Sequence, residues 1–396
     1  MEDLTADAIS ILVNKIKPGT APKFTEADGL DSMRFHNSLP SYSATKLHFL
    51  KELSSRLHVR SIAVKDESSR FGLNAFKGLG GSYAMFRILC EQLGLDPAKT
   101  GYRDFQEKVV RQQCSRIHFV TATDGNHGKG VSWAAKLFGC KATVYMPAGS
   151  VEARRLAIER AGTASAFITD LNYDRTVLHA KDMAARNGWI LIQDTAWDGY
   201  EKIPDWIIKG YLTIAREITD QLKDLQPTHV FLQAGVGAMA GGVMSYLLDH
   251  YQDRPPFITI AEPSQAACVY HSIRNGDGQI HSLPGNSQTI MAGLNCGTPC
   301  KTTWQIMRDR ASFFCACDDR IAEEGMKAYA HPAGNDPAVI SGESGAVTLG
   351  LAIRILQNPS LRKRFGITEN SVILLINTEG DTDPDGYRRI VYGTAG

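Results

Sequence analysis

Short apolar runs alternate along most of the chain with segments whose apolar positions recur at helical spacing, the pattern of an α/β protein with a largely parallel sheet. Ser61 to Lys65 predicts a strand that leads into an amphipathic helix from Lys77 to about Leu93. Ile117 to Thr121 predicts the next strand, followed by a helix through Trp133 to Leu137. Further strands are expected at Ala142 to Met146, Ala166 to Ile168 and Trp189 to Ile192, separated by helices from Val151 to about Ala161 and from Tyr173 to Arg186. This βαβαβαβ block reads as a small α/β domain inserted into a larger one. The expected boundaries are 90–194 for the small domain, and 1–89 with 195–396 for the large one.

A long helix opens at Ile203-Pro204, with Trp206, Ile207, Tyr211, Ile214 and Ile218 on one apolar stripe. Val230 to Leu232, Phe257 to Ile260 and Ser371 to Ile376 supply later strands. The segment from Leu95 to Ser115 is polar and charged, and reads either as a surface insertion or as part of an interface.

Composition narrows the class. A chain of 396 residues exceeds one ordinary core, and 43% apolar content is that of a globular protein. A formal net charge of +1 gives no electrostatic case for nucleic acid or an anionic membrane as partner. The acidic start lacks the basic and apolar features of a signal peptide, and no apolar run is long enough to span a bilayer, so the expected location is the cytoplasm. The eight cysteines form no Cys-x-x-Cys, and no second ligand pair stands at zinc spacing, so no metal is expected and the thiols read as buried and inert.

Four segments carry candidate chemistry. Lys77 is flanked by Phe76 and Leu79 and followed by Gly80-Gly81. Apolar bulk beside an amine lowers its pKa, and only the neutral amine attacks an aldehyde to form an imine. Thr123-Asp124-Gly125-Asn126-His127-Gly128 lies where a strand turns into a helix, a natural carboxylate site. His127 alone reads as a satisfied core histidine, or as one that supports neighbouring site residues, rather than as a catalyst. Gly235-Val236-Gly237-Ala238-Met239-Ala240-Gly241 sits at another strand-to-helix turn, where successive amides can wrap a phosphate. The same spacing fits a dinucleotide fingerprint, with Glu262 as the ribose-binding acid, so both ligands stay open at this point. Asn377-Thr378-Glu379-Gly380-Asp381 follows the last strand, and its hydroxyl can meet a ring nitrogen. Glu343 is a weaker candidate for the same cavity.

Taken in order, these segments resemble the fold-type II pyridoxal phosphate enzymes, such as threonine and serine dehydratases, cysteine synthase and serine racemase. The resemblance covers roughly Ser61 to Asp383 and implies two open, mostly parallel α/β sheets in a large and a small domain. It implies pyridoxal 5'-phosphate as cofactor, with Lys77 as the imine-forming lysine and Asn126 beside the phenolic oxygen. Gly235, Val236, Gly237, Ala238, Met239, Ala240 and Gly241 would hold the phosphate, and Thr378, or else Asn377, would meet the pyridine nitrogen. Thr123, Asp124 and Gly125 would bind the substrate carboxylate region.

Three longer blocks, Lys65 to Lys77, Gln193 to Tyr200 and Thr378 to Asp383, are similar to the diaminopropionate ammonia-lyase family. That likeness implies elimination from D- and L-2,3-diaminopropionate, giving pyruvate and two ammonia, by a homodimer. Asp124 stands where the dehydratases have serine. With Lys77 and Asp194 it forms the expected catalytic set, and the carboxylates of Asp124 and Asp194 suit a substrate carrying a second ammonium. The rival readings are a threonine- or serine-type dehydratase, an NAD-dependent oxidoreductase, and a binding module without catalysis.

Overall fold

Val372-Ile373-Leu374-Leu375-Ile376-Asn377 is buried from end to end and pairs in parallel on both sides, which accounts for its unbroken apolar sequence. The computed structural model describes residues 2–123, 125–284 and 288–393. Strands are numbered β1 (Glu2–Ala6), β2 (Ile9–Val13), β3 (Leu47–Phe49), β4 (Ser61–Asp66), β5 (His118–Ala122) and β6 (Lys141–Met146). They continue as β7 (Ala164–Ile168), β8 (Ile190–Leu191), β9 (His229–Gln233), β10 (Phe257–Pro263), β11 (Phe313–Cys317) and β12 (Val372–Asn377).

The chain forms two units: one of residues 1–25, 44–75 and 214–396, the other of 26–43 and 76–213. In the first, an eight-stranded sheet runs β1-β2-β11-β10-β9-β12-β4-β3. Its five central strands are parallel, with Leu374 opposite Val230 on one side and Ala63 on the other. Antiparallel β1, β2 and β3 close the two edges. Ile62, Val64, Phe231, Ile373 and Leu375 form the middle of its core with Val347 and Leu351 from the helix Glu343–Gln357. In the second unit a four-stranded parallel sheet runs β7-β6-β5-β8, with Val120, Ala122, Ala180 and Leu191 in one buried cluster.

Several expectations change. The units part after Ala75 and after Thr213 rather than after 89 and 194, and the second also takes in 26–43. The reason is close backbone packing. A Cβ on Gly130 would stand 2.9 Å from the Lys77 carbonyl, and one on Gly80 would stand 2.5 Å from the Tyr211 ring. The helix Lys77–Leu93 therefore belongs with 126–138 and 202–213. It is not amphipathic: every residue from Gly78 to Cys90 except Arg87 is buried. The segment 95–115 is tied down by Phe105, fully buried edge-on to Phe86 and Phe138. Cys315 and Cys317 are buried in β11. All eight cysteines are free thiols. Among the described residues, no helix is long and apolar enough to cross a membrane, and no group of three His, Cys, Asp or Glu side chains forms a metal cluster.

Candidate active site

Lys77 opens its helix, and its ammonium donates to Asp194 Oδ2 at 2.6 Å. Nζ lies 5.3 Å from the Phe76 ring centroid and 5.9 Å from that of Tyr211, so aromatic faces flank the amine, in line with its apolar neighbours in the chain. Asp194 is nearly buried. Burial alone raises its carboxyl, but the charge that His127 carries when protonated, the charge of Lys77 and the Lys77 hydrogen bond outweigh that and hold it at about 2.

Asp194 is fixed by its neighbours in the chain. Gln193 Oε1 accepts from Thr121 Oγ1 at 3.0 Å and from the Ala122 amide at 3.1 Å, and its Nε2 returns a bond to the Ala122 carbonyl. The Gln193 amide donates to the Tyr200 hydroxyl, which itself donates to the Leu191 carbonyl. Trp197 and Tyr200 stack with ring centroids 4.4 Å apart. The block Gln193 to Tyr200 is thus a clamp on the end of β5 that holds one carboxylate beside one amine. Its supporting members, Gln193 and Tyr200, received no role from the sequence.

The loop after β5 is shaped by Thr123, whose Oγ1 accepts from the amides of Gly125 at 3.0 Å and Gly128 at 3.2 Å. Gly125 has φ of +154°, a backbone that side chains resist, and Asn126 begins the helix Asn126–Phe138. Asp124 lies outside the described residues. His127 is 3% exposed; its Nε2 is 2.8 Å from the Ile192 carbonyl and its Nδ1 is 3.7 Å from Asp194 Oδ2. Burial pushes its pKa below the usual value. Nδ1 has no hydrogen-bond partner among the described residues, so the expectation of a satisfied core histidine holds for one ring nitrogen only.

The first unit carries the glycine loop. Gly237 has φ of +82° and caps the helix Ala238–His250. A Cβ there would meet Met307 Cε at 2.5 Å, and one on Gly241 would overlap Thr303 Cβ. The first helical bond runs from the Gly241 amide to the Gly237 carbonyl, which leaves the amides of Ala238, Met239 and Ala240 at the positive helix end. The Cys300 amide donates to the Val236 carbonyl and Thr303 Oγ1 donates to the Gly237 carbonyl, so the loop is braced from one side. The loop thus presents backbone donors at the start of a helix, a geometry that fits a phosphate such as that of pyridoxal phosphate.

The dinucleotide reading fails at Glu262. That carboxyl is fully buried, its oxygens accept from the amides of Val269 at 2.8 Å and Tyr270 at 2.7 Å, and burial raises it to about 8. It accepts from the first turn of the helix Cys268–Asn275 and has no face to offer a ribose.

At the end of β12, Gln233 Nε2 donates to Thr378 Oγ1 at 3.1 Å. Asn377 Nδ2 instead donates to Asp66 Oδ1 at 2.8 Å and the Ile340 carbonyl at 3.0 Å. Asn74, at φ of +58°, is bonded to the same segment: its carbonyl accepts from the Gly380 amide and its Nδ2 donates to Asp381 Oδ1 at 3.1 Å. Two motifs distant in sequence, 74–75 and 379–381, are therefore paired. Glu343 begins its helix with Oε1 near Gly386.

Comparison with known proteins decides the family. The family described as "Pyridoxal-phosphate dependent enzyme" matches residues 39–379. A diaminopropionate ammonia-lyase of Salmonella typhimurium is 48% identical over 371 residues, 92% of each chain. The chain belongs to the diaminopropionate ammonia-lyase family of pyridoxal phosphate dependent enzymes. The crystal structure of the holo diaminopropionate ammonia lyase from Escherichia coli superposes with a TM-score of 0.91, at 44% identity and 97% coverage of both chains. The same enzyme in complex with an aminoacrylate-PLP azomethine reaction intermediate gives a TM-score of 0.89 at 44% identity, again covering 97% of both. The fold is accordingly fold type II, as the order of the motifs implied.

Proposed function

We propose that this chain eliminates ammonia from D- and L-2,3-diaminopropionate, yielding pyruvate and two ammonia. The observation that carries this reading is the Lys77–Asp194 pair at 2.6 Å, in a family whose members carry that activity in their names. A serine- or threonine-type dehydratase has no need of a carboxylate held ionised beside its lysine. A substrate with a second ammonium does.

Pyridoxal phosphate, when bound, supplies a conjugated ring that absorbs the negative charge left by loss of the α-proton. Lys77 Nζ would hold its aldehyde, the Gly235–Gly241 amides its phosphate, Asn126 its phenolic oxygen and Thr378 its pyridine nitrogen. Asn377 is the weaker partner for that nitrogen because its amide is already spent on Asp66 and Ile340. Once released from the aldehyde, the Lys77 amine takes the α-proton of the L-substrate. Asp194 holds the leaving β-ammonium and keeps it protonated until it departs. The polar loop of Thr123, Gly125 and Asn126 orients the substrate carboxylate, and Asp124 is assigned the α-proton of the D-enantiomer. A cytoplasmic homodimer is the setting attached to this reading, and sedimentation of the purified protein tests the assembly.

The test is direct. Purified protein is reduced with borohydride and digested, and the cofactor adduct is located by mass spectrometry, while pyruvate release from each pure enantiomer is followed. The expected result is an adduct on Lys77, lost in Lys77→Ala, and turnover of both enantiomers. An adduct on another lysine, or turnover of serine alone, overturns the proposal.

A further inference from the structure

His127 is left half-used by the contacts described so far. Its Nε2 faces the Ile192 carbonyl at 2.8 Å, and a carbonyl only accepts, so that nitrogen carries the ring proton. Neutral His127 therefore turns a bare lone pair at Nδ1 toward Asp194 Oδ2, 3.7 Å away. The ring is 3% exposed and Nδ1 has no hydrogen-bond partner among the described residues. A buried, unsatisfied base aimed at a carboxylate is costly unless it is used.

The charged and titratable groups around it come from two elements. Asp194 and Tyr200 belong to the segment after β8, and Lys77 stands at the start of its own helix, donating to the same Oδ2. Burial keeps the Tyr200 phenol protonated, so it offers no base. The remaining groups meet at one oxygen: Lys77 Nζ and His127 Nδ1 both approach Asp194 Oδ2. We infer that His127 is the proton store that lets Lys77 shed its ammonium proton through Asp194, making the amine nucleophilic toward an aldehyde. In this step an N–H bond of Lys77 breaks and an Nδ1–H bond of His127 forms, with Asp194 Oδ2 passing the proton between them. Ammonium, carboxylate and imidazole become amine, carboxylate and imidazolium, so the three groups keep the same net charge. Asp194 is a poor resting place for the proton because it is held so acidic. His127 acts only through Asp194 and is a positioning residue in that sense.

The inference rests on the reading of Lys77 as the cofactor lysine, but its first test does not need the cofactor. Ring nitrogens of the full-length chain labelled with ¹⁵N-histidine are titrated by NMR, with His127 assigned by its absence in His127→Gln. The expected cofactor-free wild type shows the Nε2–H tautomer. Lys77→Met, which deletes the competing cation, raises the His127 midpoint by about one pH unit, and Asp194→Asn lowers it. A midpoint unmoved in Lys77→Met, or an Nδ1–H tautomer in wild type, overturns the inference.

The second test reads cofactor attachment by absorbance. His127→Gln keeps a donor for Ile192 but has no base at Nδ1. Attachment of pyridoxal phosphate at pH 7 should slow about tenfold, with its pH profile displaced to the alkaline side. Attachment at the wild-type rate with an unchanged profile, in a variant of native circular dichroism, also overturns it. Failure of the functional reading looks different: a borohydride adduct on another lysine, whatever the histidine titration shows.

Discussion

Lys77 donates to Asp194 at 2.6 Å, and the carboxylate so engaged is nearly buried and held ionised. Asparagine at 194 keeps an acceptor for the amine but removes the charge that answers a second ammonium. Asp194→Asn should therefore lower kcat/KM for 2,3-diaminopropionate by about 10²–10⁴-fold, the range of lost proton management. D-serine, whose β-hydroxyl carries no charge, should lose far less. Steady-state rates on both substrates check this, and equal losses would make Asp194 structural.

The same carboxylate predicts an acid limit to stability. Its pKa is lowered from 3.8 to about 2 in the folded chain. Between those values the unfolded chain binds a proton that the native state does not, so stability rises with pH across the window and falls on acidification. The contribution is complete above about pH 4 and is lost as pH drops through about 2; it amounts to about 2 kcal/mol. Urea midpoints measured from pH 5 to pH 3 should fall less steeply in Asp194→Asn than in wild type.

Gly237 takes φ of +82°, and a methyl group added at its Cα would stand 2.5 Å from Met307 Cε. Gly237→Ala meets both a backbone penalty and a clash, at a combined cost of about 1–3 kcal/mol. The amides of the loop would also tilt from their common focus. Thermal unfolding should show the stability loss, and titration with pyridoxal phosphate should show affinity weakened about tenfold or more. Wild-type affinity would place the phosphate elsewhere.

Much of this is visible in the chain because glycine, strand ends and apolar runs report backbone geometry. The 235–241 turn and the central strands follow from such signals. β1 leaves no such signal because an edge strand of sequence Glu-Asp-Leu-Thr-Ala pairs on one side only and needs no apolar run. In the helix Lys77–Leu93 the small residues Gly80, Gly81, Ser82 and Ala84 mimic a weak polar face, whereas they in fact admit close neighbours. Glu262 matches a ribose-binding position by spacing, and only the turn at 269–270 shows where its oxygens go. Nothing in the order of residues could show that Ile192 sets the tautomer of His127, since that contact joins positions 65 apart through a main-chain carbonyl.

Thr378 and Asn377 are neighbours at the end of β12, and their hydrogen bonds separate their roles. Asn377 is fully buried and its amide ties β12 to Asp66 and Ile340. Asn377→Ala leaves those acceptors without their donor and should cost about 1–3 kcal/mol of stability. Thr378 accepts from Gln233 Nε2, which also reaches the Ser344 carbonyl at 3.1 Å and the Ile376 carbonyl at 2.9 Å. Thr378→Val thus removes one of three acceptors from Gln233 and should cost less than about 1 kcal/mol. What it does remove is a hydroxyl proton available to a ring nitrogen. The visible absorption of bound pyridoxal phosphate should therefore shift in Thr378→Val, with turnover reduced and the melting temperature little changed. In Asn377→Ala the order reverses: the melting temperature falls while the absorption of the remaining folded protein stays as in wild type. A shift in the asparagine variant, with none in the threonine variant, would exchange the two assignments.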